Sequence, residues 1–173
     1  MTTYEVKDHD GLVNLTTFPV NATLIRICEC KNFRSLLGLE RCKSIETLFV
    51  KECPLLNISA LEQSSFKNLK SVEFDAIWGE QRSINLEKQF NLESLTFISD
   101  EFSPPFTLNV KIPNSLTHLK AQMVDIQRID FNNAQIETLT IEECDCSNLI
   151  LSENMRESLR HLSLCWCQNI PLE

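Results

Sequence analysis

The pattern that organises this chain is clearest in Ile45-Glu46-Thr47-Leu48-Phe49-Val50-Lys51-Glu52-Cys53. Its frame has apolar residues at the first, fourth and sixth positions and a cysteine at the ninth. The frame returns near the C-terminus as Ile136-Glu137-Thr138-Leu139-Thr140-Ile141-Glu142-Glu143-Cys144 and as Leu159-Arg160-His161-Leu162-Ser163-Leu164-Cys165-Trp166-Cys167. Four further copies start at Ala22, Leu69, Leu92 and Leu116.

The spacing of the copies predicts a solenoid. Starts at 22, 45, 69, 92, 116, 136 and 159 give steps of 23, 24, 23, 24, 20 and 23 residues, and periods of roughly 20–50 residues are typical of stacked repeat architectures. One copy cannot bury its own apolar face, so neighbouring copies stack. We therefore expect positions four to eight of each copy to form a strand, and the strands to form one parallel sheet.

Alternation along each strand predicts which side chains enter the core. Successive side chains of a strand point to opposite faces, so the fourth and sixth positions should point inward together. All seven of these pairs are apolar. They are Ile25/Ile27, Leu48/Val50, Val72/Phe74, Leu95/Phe97, Leu119/Ala121, Leu139/Ile141 and Leu162/Leu164.

The connecting segments predict few helices. Most carry an apolar-x-apolar tripeptide, such as Ile84-Asn85-Leu86, whose alternation is typical of extended structure. Brief helical turns are expected near Ser65–Asn68 and Asn154–Glu157. We expect a single domain over residues 1–173 with seven right-handed repeats over 22–173, the last of them truncated. Residues 1–21 are expected to cap the first repeat.

The repeat frame resembles that of the leucine-rich-repeat superfamily, L-x-x-L-x-L-x-x-(N/C). Its ninth-position cysteine is similar to the cysteine-containing subtype found in F-box proteins. In addition, Val110-Lys111-Ile112-Pro113-Asn114-Ser115-Leu116-Thr117-His118-Leu119 resembles the FNIP-type repeats of amoeboid protists. The resemblance implies a horseshoe of the α/β class, rich in β-structure, with a parallel concave sheet and a helix-poor convex side. It also implies protein–protein recognition through the concave face.

Composition argues against several classes of partner. The net charge is −8, whereas nucleic-acid binding needs a basic face that displaces phosphate counterions, and anionic membranes also attract basic segments. We therefore expect no nucleic acid and no membrane as partner. Residues 1–10 have neither the basic nor the apolar region of a signal peptide. A cytoplasmic location is the resulting expectation.

The 8 cysteines are expected to be structural and free. Four of them share the ninth position, which elsewhere holds Ile77, Asp100 and Val124. Apart from Asp100, these residues predict a small buried apolar slot. The stacked pairs Cys30/Cys53 and Cys144/Cys167 could approach disulfide distance, but a reducing cytosol favours free thiols. The seventh-position Cys28 and Cys165 should point outward. Zinc is not expected, because four ligands would have to converge tetrahedrally.

No catalytic, cofactor-binding or metal-binding residues are predicted. His118 and His161 share the outward third position but lie two repeats apart, about 9–10 Å, too far to ligate one metal ion together. With 3 glycines the chain has no Gly-rich phosphate loop. The sequence therefore indicates a non-enzymatic protein-binding module.

The outward fifth, seventh and eighth positions are the predicted partner-binding surface. Acids outnumber bases there, and apolar residues interrupt them; we expect Phe49, Ile98 and Met123 to form its exposed apolar centre, with Trp166 also exposed, because aromatic residues and Met are enriched at interfaces. The predicted partner-binding residues are Arg26, Phe49, Lys51, Glu73, Asp75, Ile98, Lys120, Gln122, Met123, Glu142 and Trp166.

Two alternative functions remain open from the sequence. The first alternative to a separate binding module is the recognition arm of a multi-domain or multi-chain enzyme, for example an adaptor. The second alternative is a structural repeat that assembles end to end. After Cys167 only residues 168–173 remain, so the seventh repeat lacks most of its return segment. An uncapped end exposes strand backbone and core side chains. Self-association, fraying near Trp166 and Ile170, or continuation into a longer protein are the expectations for this end.

Overall fold

The protein is a helix-poor parallel β-solenoid, described by a computed structural model for residues 2–8, 19–77, 83–100, 107–131 and 133–170. Its main sheet has eight parallel strands in the order β1-β2-β3-β4-β6-β8-β10-β11. These strands are β1 (Thr3–Lys7), β2 (Leu24–Cys28), β3 (Thr47–Lys51), β4 (Ser71–Asp75), β6 (Ser94–Ile98), β8 (His118–Gln122), β10 (Thr138–Glu142) and β11 (His161–Cys165). The predicted solenoid is confirmed at this level.

The strands cover positions three to seven of each repeat, so the predicted range of four to eight was wrong by one residue. The strands end before the eighth position, where the backbone of every repeat except the fourth turns into the left-handed region, with φ of 57° at Glu29 and 50° at Glu52. The Glu29 N–H then donates to the Lys51 carbonyl of the next repeat at 2.9 Å. The same φ region and the same inter-repeat bond recur at Ala76, Met123 and Glu143.

A second, three-stranded parallel sheet runs over the return segments. It consists of β5 (Ser83–Asn85), β7 (Thr107–Lys111) and β9 (Asp125–Asp130) in that order. Strand β5 includes two residues of the apolar-x-apolar tripeptide Ile84-Asn85-Leu86, and Ile84 and Leu86 are both buried. The expectation of extended return segments is confirmed for these repeats.

The helices are short. Helix α2 (Glu153–Ser158) confirms the turn expected at 154–157. The turn expected at 65–68 was wrong, because helix α1 lies earlier, at Ala60–Gln63, where it buries Ala60 and Leu61. A 3₁₀ turn occupies Leu39–Arg41.

The core is the stack of inward pairs, and six of the seven predicted pairs are buried. The exception is the last pair, because Leu162 is 45% exposed and Leu164 is half-buried. An internal strand has a neighbour on each side, whereas β11 is paired only with β10 in the main sheet. The seventh repeat therefore buries much less apolar surface than the repeats before it.

The segment before the first repeat contributes an eighth strand. Strand β1 pairs in parallel with β2 in the register of the repeats, with Tyr4 opposite Ile25 and Val6 opposite Ile27. Both Tyr4 and Val6 pack against the core. Four further apolar residues of the predicted cap (Leu12, Val13, Leu15 and Phe18) lie outside the described residues, and Val20 is exposed. The division into a cap and seven repeats in one domain stays a prediction.

One buried polar side chain connects two return segments. Gln89 is 1% exposed, and its amide donates to the Leu61 carbonyl and, at 2.6 Å, to the Ser64 carbonyl. Its side-chain oxygen accepts the Phe66 N–H at 3.1 Å. Because the groups are buried, each bond satisfies a polar atom that would otherwise be costly to leave unpaired.

The first prediction compares two leucines at equivalent positions. Leu139→Ala should destabilise the protein by about 2–5 kcal/mol, because the side chain is fully buried and truncation leaves a cavity. Leu162→Ala should cost about 1 kcal/mol or less, because nearly half of that side chain already contacts water. Urea denaturation of both variants measures the difference, and equal losses would contradict the assigned end of the core.

Candidate functional site

The candidate site is the outward surface of the main sheet, formed by positions three, five and seven of its strands, which we call the strand face. The inward side chains of the six inner strands, from β2 to β10, are buried, so the backbone beneath this face is held by the core. Nine of the eleven predicted partner-binding residues lie on it. Position five carries Arg26, Phe49, Glu73 and Lys120, and position seven carries Lys51, Asp75, Ile98, Gln122 and Glu142.

Basic side chains of the strand face pair with acids on the same face. Lys51 Nζ lies 2.8 Å from Asp75 on the adjacent strand, and Lys120 Nζ lies 3.0 Å from Glu142. The Asp75 hydrogen bond is the main reason that the pKa of Lys51 is raised. These contacts leave the lysine charges largely neutralised within the chain itself.

Arg26 joins two further side chains of the fifth position. Its guanidinium lies 4.7 Å from the ring centroid of Phe49 on β3, in the geometry of a cation–π contact. On its other side, Arg26 Nε lies 3.9 Å from a carboxylate oxygen of Glu5 on β1. The row Glu5, Arg26, Phe49 is thus a continuous cross-strand contact.

Glu73 occupies the middle of the strand face without a close basic partner. Its nearest neighbours in the register are Phe49 and Thr96, and within the described ranges no basic side chain lies within 4.0 Å of its carboxylate. Burial is the main cause of a raised pKa at Glu73; Asp75 raises it further, while Arg26, Lys120 and Lys51 act in the opposite direction. The face therefore presents a partly dehydrated carboxylate.

The predicted apolar centre is less exposed than expected. Phe49, Ile98 and Met123 are half-buried; strands on both sides flank Phe49 and Ile98, and Arg26 covers the Phe49 ring. Strand β4, with Glu73 and Asp75, lies between Phe49 and Ile98. Outside the strands, the most exposed large apolar side chains of the described residues are Val20, Leu37, Leu55, Phe90, Ile150 and Trp166.

Met123 and Trp166 lie in the turns at position eight and not on the strand face. Both line an open groove of about 630 Å³ beside the last three repeats, and Trp166 is 83% exposed. Sequence analysis did not single out the acids there, although Asp125 and Asp145 share the tenth position. The other lining residues are Val124, Glu143, Cys144 and Gln168.

Asp145 is fixed at the edge of this groove. Its carboxylate accepts the Ser147 N–H at 2.9 Å and the Asn169 side-chain amide at 3.1 Å. These hydrogen bonds, led by that of Ser147, lower the pKa of Asp145. The groove is therefore acidic beside an exposed indole.

All eight cysteines are free thiols. At the ninth position each thiol also donates to backbone, as Cys53 does to the carbonyls of Lys51 at 3.3 Å and of Ile27 in the preceding repeat at 3.9 Å. The same two acceptors recur for Cys30, Cys144 and Cys167. The predicted buried slot is confirmed for Cys30, Cys53 and Cys144, whereas Cys167 is half-buried. In all four, the thiol also donates a hydrogen bond to the backbone.

Two outward positions differ in their exposure. Cys28 is only 7% exposed, although the seventh position was expected to point into solvent, because its register partners Lys7 and Lys51 flank it on both sides. Cys165, at the sheet edge, is exposed as expected. His118 and His161 are exposed on β8 and β11, with β10 between them. In the described part of the chain, no three His, Cys, Asp or Glu side chains form a cluster suited to a metal ion.

The second prediction concerns the charge of Glu73. Because its folded-state pKa is raised, its contribution to stability is largest below the unfolded-state pKa and is lost as the pH rises through the folded-state pKa. Glu73→Gln should therefore be more stable than the wild type at pH 7, by less than about 1 kcal/mol after solvent screening, and equal to it at pH 3.

Asp145→Asn is the matched control, with the opposite sign. The lowered pKa of Asp145 contributes stability above the unfolded-state pKa, and this contribution is lost as the pH falls. The Asn variant should therefore be less stable than the wild type at pH 7. Thermal unfolding between pH 3 and pH 7 checks both signs, and a loss of stability in Glu73→Gln at pH 7 would contradict the burial of this carboxylate.

Within the described residues, no helix has the length and apolarity needed to cross a bilayer. Comparisons of the chain with known protein families, with curated proteins and with solved structures gave no match.

Proposed function

We propose that this chain is a leucine-rich-repeat recognition module that binds a protein partner on the strand face and performs no catalysis. The observation that carries the proposal is the half-buried Glu73 carboxylate at the centre of a face whose lysines are already paired. Dehydrating a carboxylate costs stability unless a positive charge compensates it. A binding partner that supplies this positive charge would compensate the cost of dehydrating Glu73.

The proposed partner presents a Lys or Arg beside apolar side chains. Its cation pairs with Glu73, while Phe49 and Ile98 on either side of β4 offer half-buried apolar contacts. The net charge of −8 favours the approach of a basic segment and speeds the encounter at low ionic strength. Nucleic acids and anionic membranes carry the wrong charge for this face.

The finer features of the proposal follow from the repeat frame. We propose that the main sheet is the concave side of a leucine-rich-repeat horseshoe, that the chain works in the cytoplasm, and that the return segments form the convex side. The support is the apolar frame of the seven copies together with the recurring cysteine at the ninth position. As the arm of a larger enzyme, the module would use the same face to hold a substrate protein.

The third prediction tests the strand face, together with Met123 in the adjoining turn, with a matched pair of triple variants. Phe49→Ala/Ile98→Ala/Met123→Ala should weaken the partner's Kd by about tenfold or more, equivalent to ~1.4 kcal/mol. The control is Leu37→Ala/Phe90→Ala/Ile150→Ala, which removes three more exposed apolar side chains away from the strand face. A partner isolated by affinity capture and titrated calorimetrically supplies the Kd.

The same titration measures the charge contribution. Glu73→Lys should weaken binding more at low salt than at high salt, since salt screens the lost attraction. Asp75→Lys is a less direct test, because it also removes the Lys51–Asp75 ion pair. Equal weakening by the two triple variants, or a Glu73→Lys variant with unchanged affinity, would exclude the strand face as the binding site.

Self-association is the second candidate function, and the exposed end of the sheet favours it. Strand β11 lies at the sheet edge, Leu162 is 45% exposed, and the neighbouring Trp166 is 83% exposed. Edge strands with apolar side chains readily pair with strands of another chain. End-to-end stacking of copies would generate open assemblies, because a head-to-tail contact does not close on itself.

The fourth prediction is that the purified chain associates in a concentration-dependent manner. Leu162→Lys should return it to a monomer, because the charge lies where the core of a second copy would stack. Phe90→Lys is the control, since Phe90 is 70% exposed but lies away from β11. Light scattering measures the mass, and a monomer at all concentrations, or equal effects of both variants, would rule out assembly through this end.

A further inference from the structure

The first five repeats share a four-residue turn just before the repeat frame. In residues 19–22, 42–45, 66–69 and 113–116 the last N–H of the turn donates to the first carbonyl at 3.1 Å, and in 89–92 it does so at 3.0 Å. The second residue of each turn is exposed. In the first four repeats this residue is, in order, Val20, Lys43, Lys67 and Phe90. We call these four residues the turn edge.

Side chains within the turns bond each turn to the one before it. The Asn68 amide donates to the Lys43 carbonyl at 2.7 Å, and the Asn91 amide donates to the Lys67 carbonyl at 2.6 Å. Lys43 and Lys67 are therefore held in adjacent repeats, with backbones about 4.8 Å apart, the spacing of neighbouring strands. The turn edge is thus a fixed row of residues and not a set of independent loops.

The surface around the turn edge is basic, although the chain as a whole is acidic. Residues 41–46, 65–70 and 88–93, which are three of these turns with one residue on either side, contain five bases and two acids, whereas the whole chain contains 16 bases and 24 acids. Lys70 lies 3.8 Å from Glu46. The other four bases are exposed and have no carboxylate oxygen within 4.0 Å in the described part of the chain; they are Arg41, Lys43, Lys67 and Lys88.

Exposed apolar side chains lie at both ends of this row. Phe90 is 70% exposed and Val20 is 57% exposed. Phe90 occupies the turn next to that of Lys67, so an aromatic ring and a cation are presented side by side. Aromatic residues are enriched at protein interfaces. The turn edge therefore offers charge and apolar area to the same partner.

We propose that the turn edge binds an acidic segment of a partner protein, whose carboxylates pair with Lys43 and Lys67 and whose apolar side chain packs on Phe90. Two ammonium groups on adjacent turns repel each other, and a carboxylate near both relieves this repulsion. The strand face, in contrast, attracts a basic segment. The two surfaces therefore select partners, or parts of one partner, of opposite charge.

The length of the basic surface favours a short peptide segment over a nucleic acid. Phosphate charges follow one another closely along a nucleic acid, which needs a continuous basic surface. Here the bases are confined to three repeats, because the equivalent residues of the first and fifth repeats, 18–23 and 112–117, include no Lys or Arg. A longer polyanion would extend over the acidic remainder of the chain.

Fluorescence anisotropy of labelled synthetic peptides tests the proposal on the full chain. The probe is a peptide of alternating Glu and Ser with one central Trp, and its control has Gln in place of every Glu. The chain should bind the Glu peptide about tenfold more tightly than the Gln peptide at low ionic strength, and added salt should reduce this difference. This comparison needs no variant of the chain.

Paired lysine variants locate the binding surface. Lys43→Gln/Lys67→Gln should weaken binding of the Glu peptide by about fivefold, the effect of losing two exposed ion pairs. Lys31→Gln/Lys111→Gln is the matched control, because these lysines are also exposed and lie outside the turn edge. The control changes the net charge equally and should alter the Kd by about twofold at most, through long-range attraction alone.

The aromatic contact is tested separately. Phe90→Ala should weaken binding of the Trp-containing peptide by about threefold, but it should not affect a peptide with Ser in place of the Trp. Leu37→Ala is the control, since Leu37 is 63% exposed and lies outside the turn edge. Absence of saturable binding, equal effects of the two lysine pairs, no effect of Phe90→Ala, or equally tight binding of a single-stranded oligonucleotide of the same charge would overturn the proposal.

Discussion

The whole structure depends on the in-register stacking of the inward side chains at positions four and six. In every neighbouring pair of main-sheet strands the fourth position faces the fourth and the sixth faces the sixth, as Phe74 faces Phe97 with ring centroids 5.7 Å apart. A shift of one residue would turn every inward side chain to solvent, so the apolar alternation itself enforces the register. That register also determines which outward side chains lie next to each other on neighbouring strands. It therefore determines the arrangement of residues on the strand face.

The sequence was sufficient to predict which residues of each strand point inward, but it was insufficient to predict where each strand begins and ends. Alternation identified six buried pairs, because burial selects apolar residues regardless of local detail. Most strands end at a left-handed backbone at position eight, yet Glu29, Met123 and Trp166 are residue types that seldom adopt this conformation. The N–H at position eight also bonds to the next repeat in most copies, and no pattern within one repeat contains that partner.

The candidate site was predicted in location but not in its electrostatics. The alternation of inward and outward side chains places Glu73, Lys51 and Lys120 on one face. Their exposure and their ion pairs depend on residues about one repeat away in the chain. Lys51 is paired because β4 happens to carry Asp75 opposite it, and Cys28 is buried because lysines flank it on both sides. Such lateral contacts exist only once the register is fixed, so composition of the face alone cannot reveal which charge remains without a close partner.

The two ends of the solenoid are unequal because stacking acts only between neighbours. At the first end, β1 adds a strand with Tyr4 and Val6 packed on the core. At the other end, the seventh repeat keeps Leu162, Leu164 and Cys167 partly in contact with water. A nearest-neighbour solenoid loses order from its least covered end without disturbing the middle. Fraying of the last repeat would therefore leave the central strand face in place, because the strands between Glu73 and β11 hold it.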